Sequence, residues 1–337
     1  MDERRKPRKL WWLKRLLKGL AILILVLLVA GFVYQTGTNF LAARANPPSG
    51  QLVDVGGRRI HIVCTGEGSP TVILETGLGD NSTIWALVQP ALAQTTQVCA
   101  YDRAGLGWSD DGPRDSATIV QELKALLTNA AIAPPYVLAG HSIAGLHSRL
   151  YAHTYPEEVA GMVLIDASHE EQLERLPVEL MAMAKQEKMI LTVCRIIAPL
   201  GIVRLMGVFD HSALPRDVQP AADMLSYQNR LCRSIVQESD AVEASAAQLA
   251  GAESLDDMPL VVLTAGQLPS LNDLPPGATP ELVQEMHAVW QELQAEHAAR
   301  SGNSSHIIAE KSGHYIHIDQ PQLVIEAVNQ VVNEVRK

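Results

Sequence analysis

No two of the four cysteines, Cys64, Cys99, Cys194 and Cys232, lie close enough in sequence to form a C-x-x-C pair, which excludes the common thiolate metal motifs. Widely spaced cysteines suit instead an exported domain, where disulfides persist. His141, His147 and His153 are six residues apart, a spacing that keeps them off one helical face, so neither a metal nor another cofactor is expected. Positive charge is scarce where a polyanion would need it. The first eighteen residues hold eight Lys or Arg against two acids, a local +6 within a formal net charge of −10, so the remainder carries −16. Such an acidic remainder speaks against a nucleic-acid partner. An internal repeat is also lacking.

What the front of the chain does have is a long apolar run. "LLKGLAILILVLLVAGFVY", Leu16 to Tyr34, carries only Lys18, approaching the ~20 apolar residues that cross a bilayer. Lys18 can snorkel from the edge, and Trp11 and Trp12 sit where an interfacial aromatic pair belongs. The basic residues precede the run and only Arg44 closely follows it, which places the amino terminus in the cytoplasm and the rest outside. The expected organisation is a basic tail over residues 1–15, a transmembrane anchor over 16–36, a linker over 37–50 and a globular domain over 51–337. A secreted form, cleaved after "ARA" at Ala43 to Ala45, is the competing reading; the ten residues between the run and that site favour the anchor.

Beyond "ARANPPSG" strands and helices alternate. "QLVDV" and "RRIHIVC" flank Gly56 and Gly57 as a two-residue hairpin. "TVILE", "QVCAYD", "YVLAG", "GMVLI", "LVVLTAG" and "HIIAE" read as further strands, with helices between most of them, which implies a mainly parallel sheet covered on both faces. From about residue 169 to 257 the rhythm fails, and the composition predicts a helical insertion over one end of the sheet. Thr279 and Pro280 open a later helix, and Asp319 with Gln322 resembles a capping-box start for the last one.

In "VLAGHSIAG", Ser142 stands between a strand and a helix, where a sharp turn lifts its hydroxyl above the carboxyl edge of the sheet. Such a bend needs small residues around the serine, and Gly140, Ala144 and Gly145 supply them. Serine needs a base, and "SGHYIH" brings His314 back to the same edge, with His317 as a structural neighbour. A tetrahedral intermediate needs N–H donors, for which the backbone of Leu78 in "ETGLGDN" and of Ile143 are candidates.

Together "TGLG", "YDRAGLGWSD", "GHSIAGLHSRLYAHTYPEEVAGMVLID" and "SGHYIHIDQP", in that order, resemble the α/β-hydrolase fold of the lidded esterase, lipase and peptidase-like group over nearly all of Gln51 to Lys337. The resemblance implies a lid at about 169–257 and a Ser, His, Asp triad working through an acyl-enzyme on a small, apolar carboxylic ester. Amide, peptide and carbon–carbon bond hydrolysis use the same triad, and a non-catalytic binding protein can keep the fold. Epoxide and haloalkane hydrolysis are disfavoured, because relatives of that kind place a carboxylate at the nucleophile position. Ala144 replaces the second glycine of G-x-S-x-G, and in "AGQLPS" Pro269 stands where many relatives carry the acid. Asp166, directly after "GMVLI", is therefore expected to be the acid, with Asp273 as the alternative. Relatives also set the second and fourth strands antiparallel, which implies a Cys64–Cys99 disulfide and leaves Cys194–Cys232 as a second pair; four buried free thiols are the alternative.

Overall fold

The structure is a computed structural model that describes residues 8–252, 254–271 and 277–337. Residues 1–7 of the basic tail and Asp273 lie outside the described residues.

Eight strands form one sheet in the order β1-β2-β4-β3-β5-β6-β7-β8: β1 Gln51–Asp54, β2 Arg59–Thr65, β3 Thr71–Glu75, β4 Val98–Asp102, β5 Tyr136–His141, β6 Val159–Ile165, β7 Leu260–Ala265 and β8 Ser304–Ala309. β2 runs antiparallel to β1 and β4, and all other pairs are parallel. The Gly56–Gly57 turn closes the first hairpin, with Val55 N–H donating to the Arg58 carbonyl at 2.9 Å.

The central strands are buried on both faces, so apolar residues fill both parities of each strand. Ile73, Leu138, Met162 and Leu164 face one layer, which holds Leu123, Leu126 and Leu127 of α2 (Ser116–Asn129) and Leu146 and Leu150 of α3 (Ala144–Thr154). Val72, Leu74, Val163 and Ile165 face the other, packed against Trp85 and the Val324, Val328 and Val331 stripe of the terminal helix. Strand order reverses beside β3, so the carboxyl ends of β3 and β5 open the crevice where ligands of such sheets bind.

Between β6 and β7 the described residues contain helices and no strand, as the composition predicted. Three of these matter below: α4 (Val178–Ile197), α5 (Ile202–Met206) and α6 (Leu231–Asp240). Two disulfides are present. Cys64 and Cys99 face each other across the β2–β4 ladder, and Cys194–Cys232 ties α4 to α6.

The amino-terminal helix α1 (Arg8–Ala45) holds the one stretch among the described residues that is long and apolar enough to cross a membrane. It continues through residues 37–45, well into the stretch expected to be a linker. Its polar end is engaged: the buried Gln35 side chain donates to the Tyr227 carbonyl at 2.7 Å and to Asn229 at 3.0 Å, and Arg204 donates to Asn39 at 2.7 Å.

The end of the chain corrects one expectation. Asp319 closes the short Ile316–Asp319 helix and does not cap the next one, which begins at Pro321 after Gln320. Its carboxylate accepts from Ser312 Oγ and Gly313 N–H, both at 3.1 Å, and so folds the His314 loop.

Candidate active site

Ser142 sits at φ +56°, a left-handed conformation that costs a non-glycine residue about 1–2 kcal/mol. Its surroundings hold it there. Ser142 N–H donates to the Ile165 carbonyl at 3.1 Å, and its own carbonyl accepts from Ser168 N–H at 2.8 Å. The bend also explains the small neighbours: a Cβ on Gly145 would lie 2.6 Å from that of Ala167, and one on Gly140 would lie 2.7 Å from Ser148 Oγ. Ala144, at the place of the second glycine, fits in full burial.

Asp166 ends β6 in the same unusual region, at φ +43°. One carboxylate oxygen accepts from Ala265 N–H and Trp290 Nε1, both at 2.9 Å. The other lies 2.6 Å from His314 Nδ1. The Asp166 side chain is 3% exposed and that of His314 42%, so the imidazole spans from a buried carboxyl group to open space. With Nδ1 committed to Asp166, Nε2 is the nitrogen left for a proton from a hydroxyl. The structure therefore brings Ser142, His314 and Asp166 to one edge of the sheet.

His141, the residue before Ser142, holds the His314 backbone from behind. Its Nε2 lies 2.9 Å from the His314 carbonyl, and burial, then the charges of His317 and His314, hold its pKa well below the ordinary histidine range. The ring is therefore neutral and can donate from Nε2. His317 is buried between Trp85 and His141, with ring centroids 4.6 and 4.5 Å away. Burial and then His314 push its pKa down to about 3, so it packs as a neutral ring.

The turn carrying Leu78 follows β3, and Ile143 opens α3. The Leu78 turn is gripped by groups the sequence did not single out. Arg103, buried after β4, donates to the Thr76 carbonyl at 2.6 Å, the Gly77 carbonyl at 2.7 Å and Glu238 at 2.7 Å. Glu238, from α6 of the insertion, also accepts from Gly79 N–H at 2.8 Å. Burial alone would raise its pKa, but Arg103 and the Gly79 N–H outweigh it and hold the carboxylate ionised. Removing one partner of a buried ion pair strands the other. Glu238→Ala is expected to cost about 3–5 kcal/mol in denaturant unfolding. Asp240→Ala, on the same helix as Glu238, breaks a half-exposed pair with Lys188 of α4 and should cost under about 1 kcal/mol. Equal losses would show that the Arg103 pair is no anchor.

Asp80, at the end of the same turn, lines one cleft with His314 and Tyr315. Burial pushes its carboxyl up to about 6, against the pull of Arg103 and His314. A raised acid pKa means that the folded protein keeps a proton that the unfolded chain has already released, so stability falls as pH rises from about 4 to 6. Asp80→Asn is expected to gain stability relative to the parent across that window. A pH-independent difference between the two denaturation curves would contradict this.

A cleft of about 740 Å³ opens at His314, lined by Ile84, Leu214, Leu268, Pro269 and Tyr315, a size suited to a small organic ligand. A larger hollow, about 970 Å³, lies beside Pro47, Trp108 and Val218 and contains none of the residues above. His169, Glu171 and Glu296 converge with metal-like spacing, but Arg175 already pairs with both glutamates and Arg300 with His169.

A sequence profile described as the alpha/beta hydrolase family matches residues 72–327. An AB hydrolase superfamily protein of Gibberella zeae is 25% identical over 295 residues, covering 79% of this chain and 87% of that one. A probable transporter, efuK, of Hormonema carpetanum is 34% identical over 137 residues, 38% of this chain and 20% of the relative. The chain spans from a fifth to about half of the first curated relatives it matches. Among solved structures, a thermophilic esterase from Thermogutta terrifontis superposes with a TM-score of 0.56 at 20% identity, covering 85% of this chain and 98% of the esterase, a likeness of fold alone.

Proposed function

This chain belongs to the alpha/beta hydrolase family, and on that premise we propose that it is a membrane-anchored serine hydrolase cleaving carboxylic esters through an acyl-enzyme. The observation that carries the reading is the pairing of His314 Nδ1 with Asp166 at 2.6 Å beside the strained turn that holds Ser142. In this reading His314 Nε2 takes the proton as Ser142 Oγ attacks the ester carbonyl. Asp166 keeps the imidazole in the required tautomer and stabilises it when charged. The oxyanion is received by the N–H groups of Leu78 and Ile143. His314 then protonates the leaving alcohol, and water, activated by the same nitrogen, releases the acid.

An ester is favoured over a peptide because the cleft at His314 is walled by Ile84, Leu214 and Leu268, apolar surface suited to an acyl chain. The anchor is α1, amino terminus in the cytoplasm, with the catalytic domain outside; two disulfides and the basic tail support that side. Labelling with a fluorophosphonate, followed by hydrolysis of esters of graded acyl length, tests the reading. Covalent labelling at Ser142 with turnover that rises with acyl length is expected. Absence of labelling by folded protein would instead mark a non-catalytic member of the family.

A further inference from the structure

We propose that the outer face of the insertion formed by α4 and α5 lies in the lipid of the extracytoplasmic leaflet beside α1, so that the bilayer covers it. The proposal rests on the reading of α1 as a membrane anchor and adds a second membrane contact to it.

Helix α4 is apolar on two sides. Its inner side packs through the buried Met183 and the Cys194 bridge to α6. On the outer side Met189, Val193 and Ile196 recur at i, i+4 and i+7, with Ile190 flanking them, and all four are exposed. The face continues past the turn into Leu205 and Met206 of α5. Ile196 is 68% exposed and Leu205 72%, values comparable to those along the lipid-facing part of α1. Contiguous exposed apolar surface of this kind marks a contact with membrane or protein. At 3.6 residues per turn, Lys185 and Arg195 fall along one border of the stripe, where they can reach phosphate groups, beside Lys188, which pairs with Asp240.

The depth of this face is set by its contact with α1. The turn between α4 and α5 packs so closely on α1 that a Cβ on Gly31 would lie 2.5 Å from the Leu200 carbonyl oxygen, and one on Gly201 2.8 Å from the Tyr34 ring. Gly31 is within the apolar run. At about 1.5 Å of rise per residue, it lies about 5 Å inside the end of that run at Tyr34. The turn therefore reaches the level of the outer hydrocarbon, and Ile196 and Leu205 are within about a helical turn of it along the chain. Polarity follows the same level. Where α1 becomes polar, at Gln35 and Asn39, the insertion meets it with Arg204, Asn229 and the Tyr227 carbonyl. Continuity with the anchor selects lipid as the occupant over a second copy of the chain.

All four native cysteines are bridged, so a nitroxide can be attached at one introduced cysteine in the full-length protein. Leu25→Cys, Ile196→Cys, Leu205→Cys and, as a control on the exposed start of the terminal helix, Gln322→Cys are reconstituted in phosphatidylcholine vesicles. Collision rates with oxygen and with a water-soluble nickel chelate are then compared. Labels at 25, 196 and 205 should favour oxygen several-fold more than the label at 322. If 25 reads as lipid while 196 and 205 read as water, the inference fails and the anchor stands. If 25 also reads as water, both fail. Labels at 196 and 205 shielded from both reagents, with spin–spin broadening, would mean that another copy covers the face and would overturn the proposal.

Discussion

Ser142→Ala is expected to abolish fluorophosphonate labelling and to lower kcat for ester hydrolysis by roughly 10⁴ to 10⁶, the loss typical when the nucleophile of such a site is removed. The fold should be untouched. Alanine adds no bulk at an elbow where the Gly145 position already lies against Ala167, and the backbone bonds of residue 142, to Ile165, Gly145 and Ser168, do not involve the hydroxyl. Thermal unfolding within about 1 kcal/mol of the parent, with activity gone, is the anticipated pair of results. A variant that kept a tenth of the parent rate would remove Ser142 from the mechanism.

Asp166→Asn should lower kcat by roughly 10⁴ with little change in KM. The geometry says why the amide fails. The Asp166 oxygen that accepts from Ala265 N–H and Trp290 Nε1 must remain an oxygen, because both partners are donors. The amide NH₂ then faces His314 Nδ1. That nitrogen must become an acceptor, the ring proton moves to Nε2, and the base can no longer take a proton from serine. Asp273→Asn, assayed on the same ester, should change kcat by less than about twofold. A large loss in that variant with Asp166→Asn unaffected would transfer the acid's role to Asp273.

Features that depend on neighbours in sequence were legible before any coordinates. The strand, sharp turn and helix around Ser142 follow from small residues beside an apolar run, and the long apolar run of α1 needed only counting. Other features depend on partners far along the chain. Arg103 and Glu238 are separated by 135 positions, and nothing local marks either as a support of the Leu78 turn. Asp80 and Tyr315 meet from opposite ends of the domain, and His141 acts on the His314 carbonyl across 173 positions. Asp319 misled because D-x-x-Q before an apolar helix fits a capping box. Pro321 moves the true start one residue on, with Gln320 as the cap, and frees the carboxylate for the His314 loop. The polar residues after Tyr34 looked like the end of a helix, since hydropathy does not register that Gln35 is buried against the insertion.

The Glu238 contact also limits how the cleft can open. A gate swinging away as a rigid body would carry Glu238 off with it and leave the Arg103 guanidinium facing Glu75 alone at 3.6 Å, while Gly79 N–H lost its acceptor. The Leu78 turn would slacken as the gate opened. An ordered Leu78 turn and a wide opening of the insertion are thus mutually exclusive. A ligand entering the cleft with this clamp intact would pass segments that bear no part of it, the Gln267–Ser270 stretch after β7 and the His211–Leu214 stretch, both of which line the cleft.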